Sequence, residues 1–153
     1  MEEMNKVEFD TTQYIVVKVG SEQYGINIKY VDNIVRMQKI TRVPKVQSYF
    51  NGVINLRGEV IPVMSLRIKM DLPKDEFTNS TRIIIIKLEP QASIGIIVDE
   101  VKEVVTLEND EIERATYDAK DEHAGFINGI GKHADELISL LDLHAVIIEK
   151  EKE

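Results

Sequence analysis

The run Gly52-Val53-Ile54-Asn55-Leu56-Arg57-Gly58-Glu59-Val60-Ile61-Pro62-Val63-Met64-Ser65-Leu66 decides the fold. It reads as two short apolar strands joined at a tight turn around Arg57-Gly58, where glycine permits the positive φ that hairpin turns require. The same skeleton returns later in the chain. Gly125-Phe126-Ile127-Asn128-Gly129-Ile130-Gly131 repeats a Gly-x-Ile-Asn-x-x-Gly frame, and Leu137-Ile138-Ser139-Leu140-Leu141-Asp142-Leu143 echoes Val60 to Leu66. Two occurrences point to a duplicated domain.

The remaining blocks support duplication. Ile83 to Leu88 matches Tyr14 to Val19 at an offset of 69, lysine included, and Gly95 to Val105 matches Gly25 to Val35 at an offset of 70. The hairpin blocks follow at offsets of 73 and then 77. Tyr14 to Val19 and Tyr24 to Ile28 read as strands. Ile28, Val31, Ile34 and Val35 fall at helical spacing and predict about two helical turns. Ile40 to Val43 is expected to be extended before Pro44, Val46 to Phe50 to form a helical turn, and Pro62 to mark an edge strand or bulge. Leu72-Pro73-Lys74-Asp75-Glu76 carries proline and charge without apolar periodicity and predicts a boundary.

The expected architecture is mainly β. Two small barrels of about five strands each would occupy residues 13–68 and 81–141, with a linker over 69–80. Asp142 can cap a terminal helix over 142–150, with Leu143, Val146 and Ile147 as its apolar stripe.

Composition narrows the function. The chain has 153 residues, 43% hydrophobic and 30% charged, as in a soluble globular protein able to bury about 70% of its unfolded surface. It has no cysteine, hence no disulfide, thiol nucleophile or thiolate metal site. The N-terminal residues lack a basic, apolar signal segment, and Ile83 to Ile86 is too short to span a bilayer, so the expected location is cytoplasmic without membrane insertion. Net charge is −8, with 27 acidic against 19 basic residues, and no window concentrates the basic face that nucleic acid requires. The stretch from Arg36 to Arg42 comes nearest.

Chemistry is hard to find. His123, His133 and His144 show no metal-ligand spacing, and acidic pairs such as Asp99-Glu100 and Asp121-Glu122 suit a solvated surface in a chain this acidic. No glycine-rich phosphate loop is present. The expectation is no catalytic residue, no metal and no cofactor. Arg57 stands out instead, as a guanidinium at a hairpin apex able to donate a forked pattern to a partner, or simply solvated. By the repeat frame its counterpart is Ile130. Val31 and Val101 occupy equivalent places, and either pack in a core or border an apolar groove between facing barrels. Gly58→Val is expected to damage folding, because a β-branched residue resists positive φ.

Several stretches together resemble the bacterial chemotaxis coupling family CheW. They are Tyr24-Gly25-Ile26-x-Ile28, Val43-Pro44, Gly52 to Gly58 with Val60-Ile61-Pro62-Val63 and Leu66-Arg67, Gly95-Ile96-x-Val98-Asp99-x-Val101, and Leu140-Leu141-Asp142. The similarity spans about residues 10–148. It implies two five-stranded SH3-like barrels with a C-terminal helix, and a scaffold that bridges the histidine kinase CheA, through its regulatory domain, to the cytoplasmic tips of chemoreceptors. Carried over by position, the receptor-facing residues are Val31, Asn33, Gly52, Arg57, Val101 and Val104. Asn33 stands where glutamate is associated with one well-known form. The kinase-facing surface would lie near Arg42, Val43 and Pro44. A free-standing adaptor, monomeric in isolation and recruited to receptor arrays at the inner face of the membrane, is the resulting expectation. A nucleic-acid-binding or small-ligand-binding barrel is the alternative.

Overall fold

β-Branched runs become strands. A computed structural model describes residues 10–90, 92–114 and 124–147. In chain order the strands are β1 (Thr11–Val19), β2 (Glu22–Asn27), β3 (Val31–Arg36), β4 (Phe50–Leu56), β5 (Glu59–Ser65), β6 (Arg82–Glu89), β7 (Ala92–Val98), β8 (Glu100–Glu108), β9 (Ile112–Arg114), β10 (Ile127–His133) and β11 (Glu136–Leu141). Two short helices, α1 (Leu66–Lys69) and α2 (Leu143–Ile147), each follow a hairpin. The fold is mainly β, with two curled sheets consistent with two β-barrel subdomains.

Their assembly differs from expectation. One sheet runs β3-β6-β7-β5-β4 and the other β8-β1-β2-β11-β10-β9. Written as positions in the repeat, both share the order third, first, second, fifth, fourth, and β9 is added at one edge. In each sheet, however, the first and second strands come from the opposite half of the chain. The expected subdomains 13–68 and 81–141 are therefore replaced, among the described residues, by interleaved units, residues 17–21 with 30–90 and 92–101, and residues 10–16 with 22–29, 102–114 and 124–147. The chain changes sheet at two short links, of three residues between β2 and β3 and of one between β7 and β8.

Each unit has its own core. In the first, Ile54, Ile61, Val63, Ile83, Ile85 and Ile97 cluster together. Ile83 to Ile86 are all buried, as suits an interior strand covered on both faces. In the second, Val16, Val105, Leu107, Ile138 and Leu140 form the cluster. Each fully buried aliphatic side chain contributes about 1.5–3 kcal/mol relative to exposure.

Register makes the duplication sharper than the sequence does. Gly52 lies opposite Val63, and 77 residues on Gly129 lies opposite Leu140. The turns correspond too, with φ of 55° and 84° at Arg57 and Gly58, and 50° and 66° at Ala134 and Asp135. The counterpart of Arg57 is thus Ala134, not Ile130. The repeated Gly-x-Ile-Asn frame misaligns the first strand by four residues, since glycine and isoleucine recur along it. The helices also correspond. Ser65 caps α1 by accepting from the Ile68 N–H at 3.2 Å, and Asp142 caps α2 by accepting from the Ala145 N–H at 3.2 Å. The expected helix at 142–150 is borne out over Leu143–Ile147, and its remainder lies outside the described residues.

Three local expectations change. The predicted helical turns over 28–35 are a 3-10 turn, Ile28–Tyr30, followed by β3, whose exposure alternates residue by residue. Alternation over Val31 to Arg36 outcompetes the helical spacing because Ile34 faces outward, 37% exposed. Val46 to Phe50 is a turn closed by the Phe50 N–H donating to the Gln47 carbonyl at 3.0 Å. Strand β5 is interior, yet its parallel pairing with β7 begins only at Val63, so the missing N–H of Pro62 leaves that ladder intact.

Candidate functional site

An exposed arginine needs a rigid base if it is to orient a partner. The β4–β5 turn supplies one, because the Asn55 side-chain carbonyl accepts from the Gly58 N–H at 3.0 Å and holds the apex. Arg57 stands exposed on this apex, without a hydrogen-bond or ion-pair partner among the described residues. Beside the turn, Val60 is 62% exposed on β5. An exposed guanidinium on a turn of fixed shape suits recognition of a carboxylate or carbonyl on another protein.

Gly52 plays a different part. It is buried with φ of +141°, and a Cβ there would lie 2.1 Å from the Thr41 carbonyl oxygen. Thr41 pairs with Val53 through N–H···O bonds of 2.8 Å in both directions, so the chain crosses directly over Gly52. The Arg42-Val43-Pro44 segment, all exposed, leaves from that crossing. The structure therefore brings together two sets of residues that the sequence assigns to separate faces. Gly52 sits beneath the crossing and fixes where Arg42 emerges.

The other positions are dispersed. Val31 and Asn33 flank a register shift in the pairing of β3 with β6, and both are half-buried. The Asn33 side-chain oxygen accepts from the Ile34 N–H at 2.8 Å, which turns it back onto its own strand. Val101 is half-buried near the start of β8. Val104 belongs to the other unit, on the same strand, and is 51% exposed.

A polar cluster escaped sequence reasoning. Arg67 donates from Nε and Nη2 to the two Asp99 carboxylate oxygens at 2.9 and 2.7 Å, and the Gly20 N–H donates to the same carboxylate at 2.9 Å. Ser65 donates its hydroxyl to Asp75 at 2.5 Å. These contacts hold residues 72–76 against the body of their unit, so the expected linker is an integral part of it. Burial alone would raise the Asp99 carboxyl, but the Arg67 fork and the Gly20 N–H outweigh it and hold it below the usual range. Burial raises Asp75, against the Ser65 hydroxyl, and its Oδ1 is buried without a partner among the described residues. The only sequence signal was that Arg67 and Asp99 both lie in the family-like stretches; a pairing 32 residues apart is not readable from spacing.

The two carboxylates act oppositely on stability. Asp99, depressed, contributes stability that is present above its unfolded value near 3.8 and lost as pH falls through its folded value. Asp75, raised, favours the fold when protonated and opposes it as pH rises above 3.8 through its folded value. Asp75→Asn is accordingly expected to melt no lower than the parent at neutral pH and to lose ground to it in acid. Melting curves across pH check this, and a marked loss at neutral pH would contradict it.

Among the described residues no group of three histidines or carboxylates could hold a metal ion, and no helix is long and apolar enough to cross a membrane. His133 and His144 are set apart on β10 and α2, while His123 and the pair Asp121-Glu122 lie outside the described residues.

A family model described as the CheW-like domain matches residues 13–151. The chain is 41% identical over 133 residues to the chemotaxis protein CheW of Bacillus subtilis (strain 168), covering 87% of this chain and 85% of that protein. It is 30% identical over 138 residues to the chemotaxis protein CheW of Helicobacter pylori, covering 90% and 82% respectively. Among solved structures, scaffolding protein TtCheW from Thermoanaerobacter tengcongensis matches with a TM-score of 0.82 and 31% identity, over 93% of this chain and 91% of that one.

Proposed function

This chain belongs to the CheW-like family of chemotaxis scaffolds, and from that membership we propose that it couples the cytoplasmic tips of chemoreceptors to the regulatory domain of the histidine kinase CheA. The observation that carries this reading is the match over residues 13–151 together with an exposed Arg57, without a partner among the described residues, on a braced apex. A receptor tip is a helical hairpin, and a helix face is read by apolar anchors with polar groups at the rim. Arg57 supplies the rim contact, which adds orientation more than raw affinity. Val101 and Val104 on β8 supply apolar contact, and Val31 and Asn33 contribute from β3. The exposed Arg42-Val43-Pro44 segment faces the kinase. Gly52 supports both by holding that segment over β4.

In this reading the protein performs no reaction. It acts as one module, a monomer in the cytoplasm recruited to receptor arrays, and changes kinase output by shifting populations of its partners. Titration with a soluble receptor-tip fragment and, separately, with the kinase regulatory domain tests it. Arg57→Ala is expected to weaken receptor-tip binding about tenfold, with kinase-domain binding and the unfolding midpoint unchanged. Absence of binding to either partner by the parent chain would overturn the proposal.

A further inference from the structure

Arg67 and Asp99 belong to the family-like stretches but have no part in the contacts proposed above. Their place in the chain gives them one. Val98 ends β7 in the five-stranded sheet and Glu100 begins β8 in the six-stranded sheet, so Asp99 alone spans the passage between sheets. Its N–H and both carboxylate oxygens are engaged. Its N–H donates to the Lys18 carbonyl at 3.0 Å, and its carboxylate takes the Gly20 N–H and both arms of the Arg67 fork. Arg67 is itself anchored, because its Nη1 donates to the Pro73 carbonyl at 3.1 Å and it stands in the first turn of α1 behind the Ser65 cap.

We propose that the Arg67–Asp99 pair is a positioning element for receptor binding, fixing the single-residue passage from β7 to β8 and thereby the stance of Val101 two residues on. The inference rests on the receptor-facing reading of Val101. A binding constellation must be held to within about 0.5 Å of its productive geometry, and a one-residue link holds its successor only as firmly as it is itself held. The pair is suited to this. With side chains 20% and 29% exposed it is partly shielded from solvent, and two parallel bonds from a planar guanidinium restrict orientation as well as distance. Lysine, a point charge on a flexible stem, would keep the attraction and lose the orientation.

The test uses the full chain with Arg67→Lys and, as a second variant that keeps the Gly20 acceptor, Asp99→Asn. Both are titrated with a receptor-tip fragment and with the kinase regulatory domain, and amide chemical shifts are recorded by NMR. Arg67→Lys is expected to shift the amides of residues 99–102 while those of Arg57 and Gly58 stay in place. Receptor-tip affinity should fall about five- to tenfold with kinase-domain affinity within about twofold, as expected for coupled neighbours. Combined with Val101→Ala, Arg67→Lys should add little further loss, because both act through the same contact. A pair that merely stabilised the fold would weaken both partners together and add its loss to that of Val101→Ala; either result overturns the inference, as do unmoved amides. If Val101→Ala and Arg57→Ala both bind the receptor tip normally, the receptor-facing reading falls, whatever the amides show.

Discussion

Gly52→Ala is expected to cost about 3–4 kcal/mol of stability, far more than the same change at Gly58. Both glycines have positive φ, +141° at Gly52 and +84° at Gly58. At +141° an L-residue lies further from the left-handed well than at +84°, and the surroundings separate the two positions more strongly still. A Cβ on Gly58 meets nothing within 4 Å, whereas on Gly52 it would stand 2.1 Å from the Thr41 carbonyl oxygen and 2.7 Å from its carbon. That obstacle is backbone, pinned in place by the two bonds to Val53, and cannot rotate away as a side chain would. The substitution must either break the Thr41–Val53 bridge or distort β4. Denaturant unfolding of the two variants against the parent measures the contrast, with Gly58→Ala expected to lose about 1–2 kcal/mol. Equal losses would show that the crossing over Gly52 is not as drawn. The same crossing launches Arg42, Val43 and Pro44, so Gly52→Ala should also weaken kinase-domain binding in whatever fraction remains folded.

The second large effect comes from a matched pair. Gly25→Val and Gly95→Val are each expected to destabilise by about 2–3 kcal/mol through overpacking. A Cβ at Gly25 would lie 2.7 Å from the Leu140 side chain and 3.1 Å from that of Ile138; at Gly95 it would lie 2.7 Å from Ile83 and 3.3 Å from Val63. Gly25 is paired with Leu140 and Gly95 with Val63, the same register position in two sheets. Each substitution should lower one shared melting transition and leave no residual domain. Two separated transitions, one sensitive to each glycine, would refute the shared assembly. Calorimetry distinguishes the outcomes.

Much of this was legible in the chain. The duplicated hairpin, the strands at Tyr14 and Ile83, the cap at Asp142 and the Arg57-Gly58 turn all follow from local patterns, and local patterns are what one sequence displays. The errors share a cause. Placing Ile130 opposite Arg57 trusted a repeated Gly-x-Ile-Asn frame, but register is set by the turn, and Ala134-Asp135 makes a positive-φ turn without the expected glycine. The short helix after β5 leaves no mark in the sequence, because four residues show no periodicity. A split at residues 69–80 takes neighbours in sequence to share a sheet; the chain changes sheet at 28–30 and at 99 instead, and nothing in the composition there announces it. The site was legible as positions but not as arrangement. That Gly52 lies under Thr41, and that Arg67 finds Asp99, are properties of chain crossing.

The exchange of hairpins between halves has a bearing on how such a protein could be taken apart. A nick anywhere between residues 70 and 80 would sever the only covalent tether between the two repeats without freeing either, since each fragment still threads two strands through the other's sheet. The pieces would stay interlocked and come apart only by unfolding together.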